Sequence, residues 1–405
     1  DKFFKKHKKD LRYHGDSYEN LWWDRDKYHK GNILIIDQCI PTPKEDSGSK
    51  DMDNIIKTLL SNNLRPHFFA LSNRGETPET YSYYEQGVHC IFGDGNRDFR
   101  TYYNKYHELY DYILLSRVTS SSEVLDFIKE ITPKKKIIFY TVDLHHLRLK
   151  QEYGVTKSIK TLRESEKLKS LELKAISDTD FTVLLSEHEE KYLTHECGID
   201  PEKLTCWPLI RKIETKNQFK KSKNPKDIIF IGGFRHTPNI DAVNWLVDEI
   251  IPEFSKLFAS SKIEQPMIKI YGANAPDAIS KLDSKKIKYL GFIEKEEDAF
   301  KNAKLSIAPL KFGAGLKGKV LSSLLYKTPV VGTHFAFEGY NLRNKRVYFE
   351  TSVDGKEFAK TLFDAYLSKD PTSSDWKKIF EDLHDKFSRQ SFDKKFNSDI
   401  LKYNF

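Results

Sequence analysis

The segment with the clearest chemical potential is a glycine-rich stretch with two lysines, Pro309–Leu321, which reads PLKFGAGLKGKVL. An apolar run ends at Pro309 and an apolar helical pattern begins near Leu316, so the glycines lie in a strand-to-helix turn. Glycines let the backbone approach a ligand closely, and free N–H groups at a helix start suit phosphate oxygens. Lys317 and Lys319 add mobile positive charge beside those amides, which predicts a diphosphate site.

The spacing of this segment matches neither a P-loop nor a dinucleotide-binding fingerprint. By spacing alone, a tight turn with solvated lysines is an equally good interpretation. The four cysteines of the chain are scattered, with no CxxC pair, and no histidines cluster at metal-ligand spacing. The sequence therefore predicts no metal site.

Short apolar runs alternate with helical patterns along most of the chain. This alternation predicts parallel βαβ units, whose functional loops lie at the carboxyl ends of the strands. The pattern starts at 32–37 and starts again at 227–233, after a basic stretch. We therefore predict an α/β protein of two Rossmann-like, doubly wound domains that face a central cleft. The predicted strands are 32–37, 67–71, 88–92, 112–115, 136–141, 181–186, 204–208, 227–231, 268–271, 287–290, 305–309 and 329–333.

The same runs set the expected domain boundaries. They are an N-terminal extension at 1–30 packed on the first domain, a first domain at 31–208, a basic linker at 209–226, a second domain at 227–374, and C-terminal helices at 375–405 that return to the first domain.

Most of the positive charge lies in the predicted linker. The chain has 67 Lys and Arg against 59 Asp and Glu, a formal charge of +8. Residues 211–226 hold seven basic side chains and one acid, or +6, and residues 1–30 hold nine and six, or +3. A nucleic-acid-binding domain carries its basic residues across a folded face, so this distribution excludes nucleic acid as a partner.

Two interpretations of the basic linker remain open. It is either a solvated hinge or a segment attracted to an anionic membrane surface, and Phe3 and Phe4 beside Lys5 and Lys6 make the same suggestion at the N-terminus. No apolar run has the length of a membrane span. We expect a cytoplasmic protein, at most peripheral at the inner face of the cell membrane.

Five motifs in order, from Gly31 to about Asn341, resemble those of group 1 glycosyltransferases of the family-4 type, which have the GT-B fold. The resemblance is to the subgroup that assembles rhamnan and other surface polysaccharides. The motifs are 33–49, YTVDLHHLR at 140–148, FIGGFRHTPNIDAV at 230–243, the glycine-rich stretch 309–321, and TPVVGT at 328–333 followed by Glu338-Gly339.

The resemblance implies that the second domain binds the nucleotide of a sugar donor. The donor-binding residues it implies are Gly232, Gly233, Tyr271 and Gly272 in two turns, Arg235 near the first turn, Phe292 and Ile293 beside the base, Gly315, Leu316, Lys317 and Lys319 at the diphosphate, Gly48 facing it from the first domain, and Ser322 and Glu338 nearby.

For the catalytic site, the resemblance implies His145 beside the donor sugar, with Asp143 as a candidate carboxylate. A surface or helix-capping histidine is the alternative for His145, and a strand-end cap is the alternative for Asp143. His146 takes the place of His145 if the register slips by one residue.

Two features depart from the family pattern. Its two glutamates, eight residues apart, fall here on Ala314 and Ser322, and its Arg and Lys after the Gly-Gly turn are absent in register, with Arg235 shifted. A serine cannot accept two hydrogen bonds from a ribose diol as a carboxylate does. The donor is therefore expected to carry deoxyribose, as a dTDP-sugar does, or else the domain is degenerate.

The function that the resemblance implies is that of a retaining, metal-independent glycosyltransferase of the hexosyltransferase type. It would transfer a sugar from a nucleotide-diphospho-sugar to a glycan or lipid-linked glycan in bacterial surface polysaccharide synthesis, for example of O-antigen. We expect dTDP-rhamnose or a similar donor, with UDP or GDP as the other options, and no cofactor besides this co-substrate. The alternatives are a non-catalytic GT-B module of a larger polysaccharide synthase and a sugar-nucleotide epimerase, for which no cleft rich in histidine and glutamate can be assembled.

Overall fold

The computed structural model describes residue 6 and residues 29–44, 47–72, 75–211, 219–342 and 344–403. Thirteen strands lie in this part of the chain. They are β1 (Gly31–Asp37), β2 (Leu64–Ala70), β3 (His89–Phe92), β4 (Tyr112–Ser116), β5 (Lys136–Tyr140), β6 (Phe181–Leu184), β7 (Leu204–Cys206), β8 (Asp227–Ile231), β9 (Ile268–Tyr271), β10 (Ile287–Gly291), β11 (Ala303–Ala308), β12 (Val330–Thr333) and β13 (Tyr348–Thr351).

The strands form two sheets. The first sheet has the order β3-β2-β1-β4-β5-β6-β7 and the second has the order β10-β9-β8-β11-β12-β13. Every pairing within them is parallel. Two parallel sheets in tandem confirm the predicted fold class of two Rossmann-like domains.

Helices connect the strands. They are α1 (Ser47–Ser61), α2 (Pro78–Glu85), α3 (Asn96–Tyr106), α4 (Arg117–Ile131), α5 (His145–Thr156), α6 (Ile159–Asp178), α7 (Glu187–Cys197), α8 (Thr237–Trp245), α9 (Ile251–Ala259), α10 (Asp277–Ser280), α11 (Glu296–Phe300), α12 (Gly318–Leu325), α13 (His334–Phe337), α14 (Gly355–Leu367), α15 (Ser373–Phe387) and α16 (Arg389–Lys402).

Strand β1 shows why its apolar run is continuous. Ile33 and Ile35 pack in one core cluster, whereas Leu34 and Ile36 pack in another, and all four side chains are at most 1% exposed. Successive side chains of a strand point to opposite faces, so helices cover both faces of this sheet. A sheet covered on both faces leaves the carboxyl edge of its strands for a ligand site.

The structure differs from the expected elements in three places. Strand β13 and helix α5 were not predicted, and a π-helical turn at Leu246–Ile250 joins α8 to α9. All but three residues of the predicted extension at 1–30, including Phe3 and Phe4, lie outside the described residues. In the described part of the chain, no helix combines the length and apolarity needed to cross a membrane.

The two C-terminal helices, α15 and α16, contact both domains. The ring of Phe387 at the end of α15 packs on Tyr340, which follows α13, at 5.8 Å between centroids. In α16, Asp399 Oδ2 accepts hydrogen bonds from Thr205 Oγ1 (2.7 Å) and from Trp207 Nε1 (2.8 Å). The tail therefore leaves the second domain and is anchored beside β7 of the first.

Candidate active site

A cleft of about 660 Å³ lies between the carboxyl ends of the two sheets. All of the site residues proposed from the sequence line it except Glu338. They are Gly48, Asp143, His145, Gly232, Gly233, Arg235, Tyr271, Gly272, Phe292, Ile293, Gly315, Leu316, Lys317, Lys319 and Ser322.

The glycine-rich loop crosses this cleft and contacts the first domain. Gly315 has a φ of +71°, and a Cβ built there would lie 3.3 Å from the Cβ of Asp143. The backbone N–H of Gly313 donates to Gln151 Oε1 in α5 at 2.8 Å. A side chain at position 315 would strain the backbone and crowd the opposite domain, so glycine is required there.

Lys317 holds this loop together by hydrogen bonds. The sequence predicted a mobile positive charge at this residue, and that prediction is wrong. Its Nζ donates to the carbonyl oxygens of Gly313 (2.7 Å) and Gly315 (2.8 Å) and to Glu338 Oε2 (3.0 Å). The Lys317 side chain is only 6% exposed. Glu338 does not line the cleft, because it lies behind the loop as the counter-ion of Lys317.

Lys319 projects from the first turn of α12 into the cleft. Its Nζ donates to Asn239 Oδ1 at 2.6 Å and lies 4.2 Å from the centroid of the Phe230 ring. Burial, and then the charge of Lys317, lower the pKa of Lys319 to about 7. Burial disfavours a charge of either sign, whereas the charge of Lys317 contributes a positive potential at this point of the cleft, which favours an anion.

The first domain contributes the beginning of α1 to the cleft, with an arginine from the linker. Arg211 Nη1 forms an ion pair with Asp51 Oδ1 at 2.7 Å, and Arg211 Nη2 donates to Ser47 Oγ at 3.0 Å. The prediction of a solvated linker is wrong for Arg211, which is 6% exposed, and for Lys221, whose Nζ donates to the carbonyl of Lys327 at 2.8 Å. Arg211 follows the apolar residues 207–210, and that was the sequence signal for its burial.

Asp143 and His145 lie together after β5. His145 Nε2 is 3.0 Å from Asp143 Oδ1, and Arg148 Nε donates to Asp143 Oδ2 at 2.9 Å. Burial alone would raise the pKa of Asp143, but Arg148 and His145 outweigh it and hold this pKa well below its usual range. Asp143 is therefore an ionised anchor for His145. His146 is 1% exposed and points into the core, where it contacts Glu172 and Tyr192, so the alternative register is wrong.

Two buried glutamates, which the sequence did not single out, hold the beginning of α5. Glu189 Oε1 accepts the N–H of Leu144 at 3.2 Å, and Glu172 Oε1 accepts the N–H of His145 at 2.8 Å. Burial, and then the charge of Asp143, raise the pKa of Glu189 to about 7. Val142, just before this turn, has a φ of +66°, which is a strained backbone for a β-branched residue.

The nucleotide end of the cleft is built by two close turns and an exposed aromatic ring. A Cβ on Gly272 would overlap the carbonyl oxygen of Gly232, so these turns approach as only glycine allows. Phe292 is 49% exposed beside Ile293, and an aromatic face open to a cleft suits stacking with a base. Ser322, on α12, is 6% exposed.

The described residues include no group of three or more His, Cys, Asp or Glu side chains placed to hold a metal ion. The glycine-rich loop, the beginning of α12 and Lys319 are groups of the kind that bind phosphates in proteins.

Sequence comparison matches most of the second domain to a known family. Residues 225–364 match the family described as "Glycosyl transferases group 1". No curated protein matches the chain.

Solved structures match the whole two-domain arrangement. S. aureus TarM, as a mutant in complex with fondaparinux, α-GlcNAc-glycerol and UDP, is similar with a TM-score of 0.68 at 11% identity, over 93% of this chain and 100% of that one. Anabaena HepE in complex with UDP and glucose has a TM-score of 0.66 at 12% identity, over 92% and 99%. Sucrose-phosphate synthase from Thermosynechococcus elongatus has a TM-score of 0.65 at 13% identity, over 92% and 99%. The chain has the GT-B fold, and the family match supports a glycosyltransferase with that fold.

Proposed function

We propose that this protein is a glycosyltransferase that transfers a sugar from a nucleotide-diphospho-sugar to a glycan acceptor. The observation that carries the proposal is the glycine-rich loop, whose helix start and Lys319 face α1 of the other domain across a ligand-sized cleft. The structures of HepE and TarM are complexes with UDP, and that of TarM also holds fondaparinux and α-GlcNAc-glycerol, which supports a donor and an acceptor of these classes.

The chemistry assigned to the cleft is stabilisation of a leaving diphosphate. Negative charge grows on the diphosphate as the bond to the sugar breaks, so fixed amides and cations stabilise the transition state more than the ground state. Lys319 supplies charge directly, and Lys317 fixes the loop that presents the amides. We assign His145, held by Asp143, to a hydroxyl of the donor sugar, with transfer that retains the anomeric configuration and needs no bound metal.

The proposed donor is a dTDP-sugar such as dTDP-rhamnose, with UDP- and GDP-sugars as competing donors. Ser322 supports this choice because its short hydroxyl, almost buried on α12, cannot accept from both hydroxyls of a ribose. Deoxyribose lacks the 2′-hydroxyl, so a dTDP-sugar loses fewer hydrogen bonds at this serine than a ribose nucleotide does. The same serine supports the second candidate function, a non-catalytic module that binds a nucleotide or glycan within a bacterial surface-polysaccharide synthase.

A thermal-shift series with dTDP, UDP, GDP, ADP and CMP tests the donor proposal, since a ligand that binds only the native state raises Tm. We expect dTDP to give the largest shift, and Ser322→Glu to move the preference towards UDP by restoring a carboxylate. Ser260→Glu, at an exposed serine after α9, is the matched control and should leave the order of shifts unchanged. A strong shift with UDP or GDP and none with dTDP would show that the deoxyribose proposal is wrong.

Turnover separates the two candidate functions. The transferase predicts release of the nucleoside diphosphate from the bound donor when methyl glycosides or extracted surface glycans are supplied, and mass spectrometry of the product detects the added sugar. The anomeric coupling in its NMR spectrum reports retention. Clear nucleotide binding without release of nucleoside diphosphate from any donor would favour the non-catalytic module.

A further inference from the structure

Arg211 joins three segments at one end of the cleft. Its guanidinium, with a side-chain exposure of 5%, bonds Asp51 and Ser47 at the beginning of α1. Its backbone N–H donates to the carbonyl of Phe387 at 2.9 Å, where the C-terminal tail leaves α15. The residue also lines the cleft. Through its side chain and its backbone, this one linker residue therefore connects the ligand cavity with both crossings between the domains.

The same guanidinium lies where helices of the two domains begin. A Cβ built on Gly318, the first residue of α12, would lie 2.9 Å from Ser47 Oγ and 3.6 Å from Arg211 Nη2. Helix N-termini carry partial positive charge, so a full positive charge between two of them is repelled unless anions surround it.

Asp51 supplies one of the anions that this arrangement requires, at 2.7 Å from Arg211. Positive potential nevertheless persists beside it. Burial, and then the charge of Arg211, lower the pKa of Lys50, although Glu296 and Asp51 act in the opposite direction. Burial is the larger of the two lowering effects, and the charge of Arg211 is the one that reflects positive potential at Lys50.

We propose that Arg211 is a positioning residue for the terminal phosphate of the nucleoside diphosphate. It contributes to the affinity for the second phosphate and not to the affinity for the nucleoside. The inference rests on the proposed function. The turns and the aromatic ring at the nucleoside end belong to the second domain, so the phosphates extend towards α1 and the second phosphate is the nearer one to Arg211. Arg211 holds Ser47 and the amides of α1 in place for it and adds charge that only a diphosphate engages.

The experiment measures the affinity of whichever of dTDP, UDP and GDP binds the wild type most tightly, and of its monophosphate, by titration calorimetry. Arg211→Met should weaken binding of the diphosphate about tenfold or more and change binding of the monophosphate less than about twofold. Arg211→Lys keeps the positive charge but loses the two parallel N–H donors of the guanidinium. It should therefore recover part of the diphosphate affinity that Arg211→Met loses. Arg163→Met removes an exposed arginine of α6 and is the matched control, expected to change neither affinity.

The outcomes are distinguishable. Equal weakening of diphosphate and monophosphate, or no weakening of either, overturns the role of Arg211 and leaves the proposed function intact. If the Met variant does not fold by circular dichroism, the Lys variant decides alone, because an unchanged ratio of the two affinities contradicts the proposal. A wild type that binds no nucleoside diphosphate overturns the proposed function and this inference with it.

Discussion

Lys319 lies on the floor of the cleft with a pKa that ordinary buffers span. Its pKa is about 7 because of burial and the charge of Lys317. A bound diphosphate favours the protonated amine, so affinity should fall as the pH rises through 7. We expect the dissociation constant of the preferred nucleoside diphosphate to rise about tenfold between pH 6.5 and 8.5.

The ligand itself cannot produce this trend, because the terminal phosphate becomes more negative with pH and would tighten binding. Titration calorimetry over this pH range tests the prediction. Lys319→Arg stays charged and should flatten the dependence, whereas Lys319→Met should flatten it at a lower affinity. A wild-type affinity that does not fall between these pH values contradicts the assignment of Lys319 to the diphosphate.

The sequence predicted where several site residues lie in the fold, but it did not predict which side chains they contact. Asp143 and His145 follow a strand and so had to lie at the carboxyl edge, where the structure places both in the cleft. Nothing in the sequence indicated that Lys317 would form an ion pair with Glu338, 21 residues away, or that Arg211 would form one with Asp51, 160 residues away. Such contacts depend on how the loops fold over one another.

At the scale of elements, continuous apolar runs located the first twelve strands of the two sheets because buried parallel strands need apolar residues on both faces. Strand β13, with the sequence YFET, escaped because Glu350 and Thr351 leave it without a continuous apolar run. Helix α5 was not predicted either. Its C-cap is Lys157, whose φ of +54° is a left-handed conformation that its residue type does not predict.

Helix α5 shows how an element depends on groups outside its own sequence. No side chain of its own caps its beginning, and Glu189 and Glu172 from neighbouring helices accept its first N–H groups. Burial raises the pKa of Glu189 to about 7 from its ordinary 4.5. The native state therefore binds a proton that the unfolded chain has lost between these values, so this glutamate makes the protein less stable as the pH rises from about 4.5 to 7.

Glu189→Gln keeps an acceptor for Leu144 and cannot titrate. We expect its free energy of unfolding to match that of the wild type near pH 5 and to exceed it near pH 8 by up to about 3 kcal/mol. Urea denaturation at several pH values measures this difference. Glu196→Gln, at an exposed glutamate of the same helix, serves as the control. Curves for Glu189→Gln and the wild type that run parallel across the range would contradict the raised pKa.

At the scale of the whole molecule, the order of the chain does not follow the division into domains. The sequence enters the second domain after β7 and comes back in α16, whose Phe396 ring packs 5.3 Å from that of Trp207. The first domain is therefore incomplete until the last helix is made. Arg211 and Phe387 meet where the two crossings run side by side, so a backbone hydrogen bond joins the linker to the tail.

Asp399 is the polar anchor of this closure. It is 1% exposed, accepts from Thr205 and Trp207, and pairs with Lys395 at 2.8 Å. Asp399→Ala strands the buried indole N–H, so we expect the free energy of unfolding to fall by about 2–4 kcal/mol. Asp393→Ala removes a half-buried carboxylate that pairs with Arg389 on the same helix, and it should cost less than about 1 kcal/mol.

Hydrogen exchange locates the effect of Asp399→Ala within the molecule. Because α16 completes the first domain, the amides of β6 and β7 should lose protection together with those of α16, while β8 to β12 stay protected at the level of the wild type. Loss confined to α16 would mean that the tail frays without the first domain depending on it. An equal loss of amide protection in both sheets would mean that the two domains unfold as a single unit that the tail holds together.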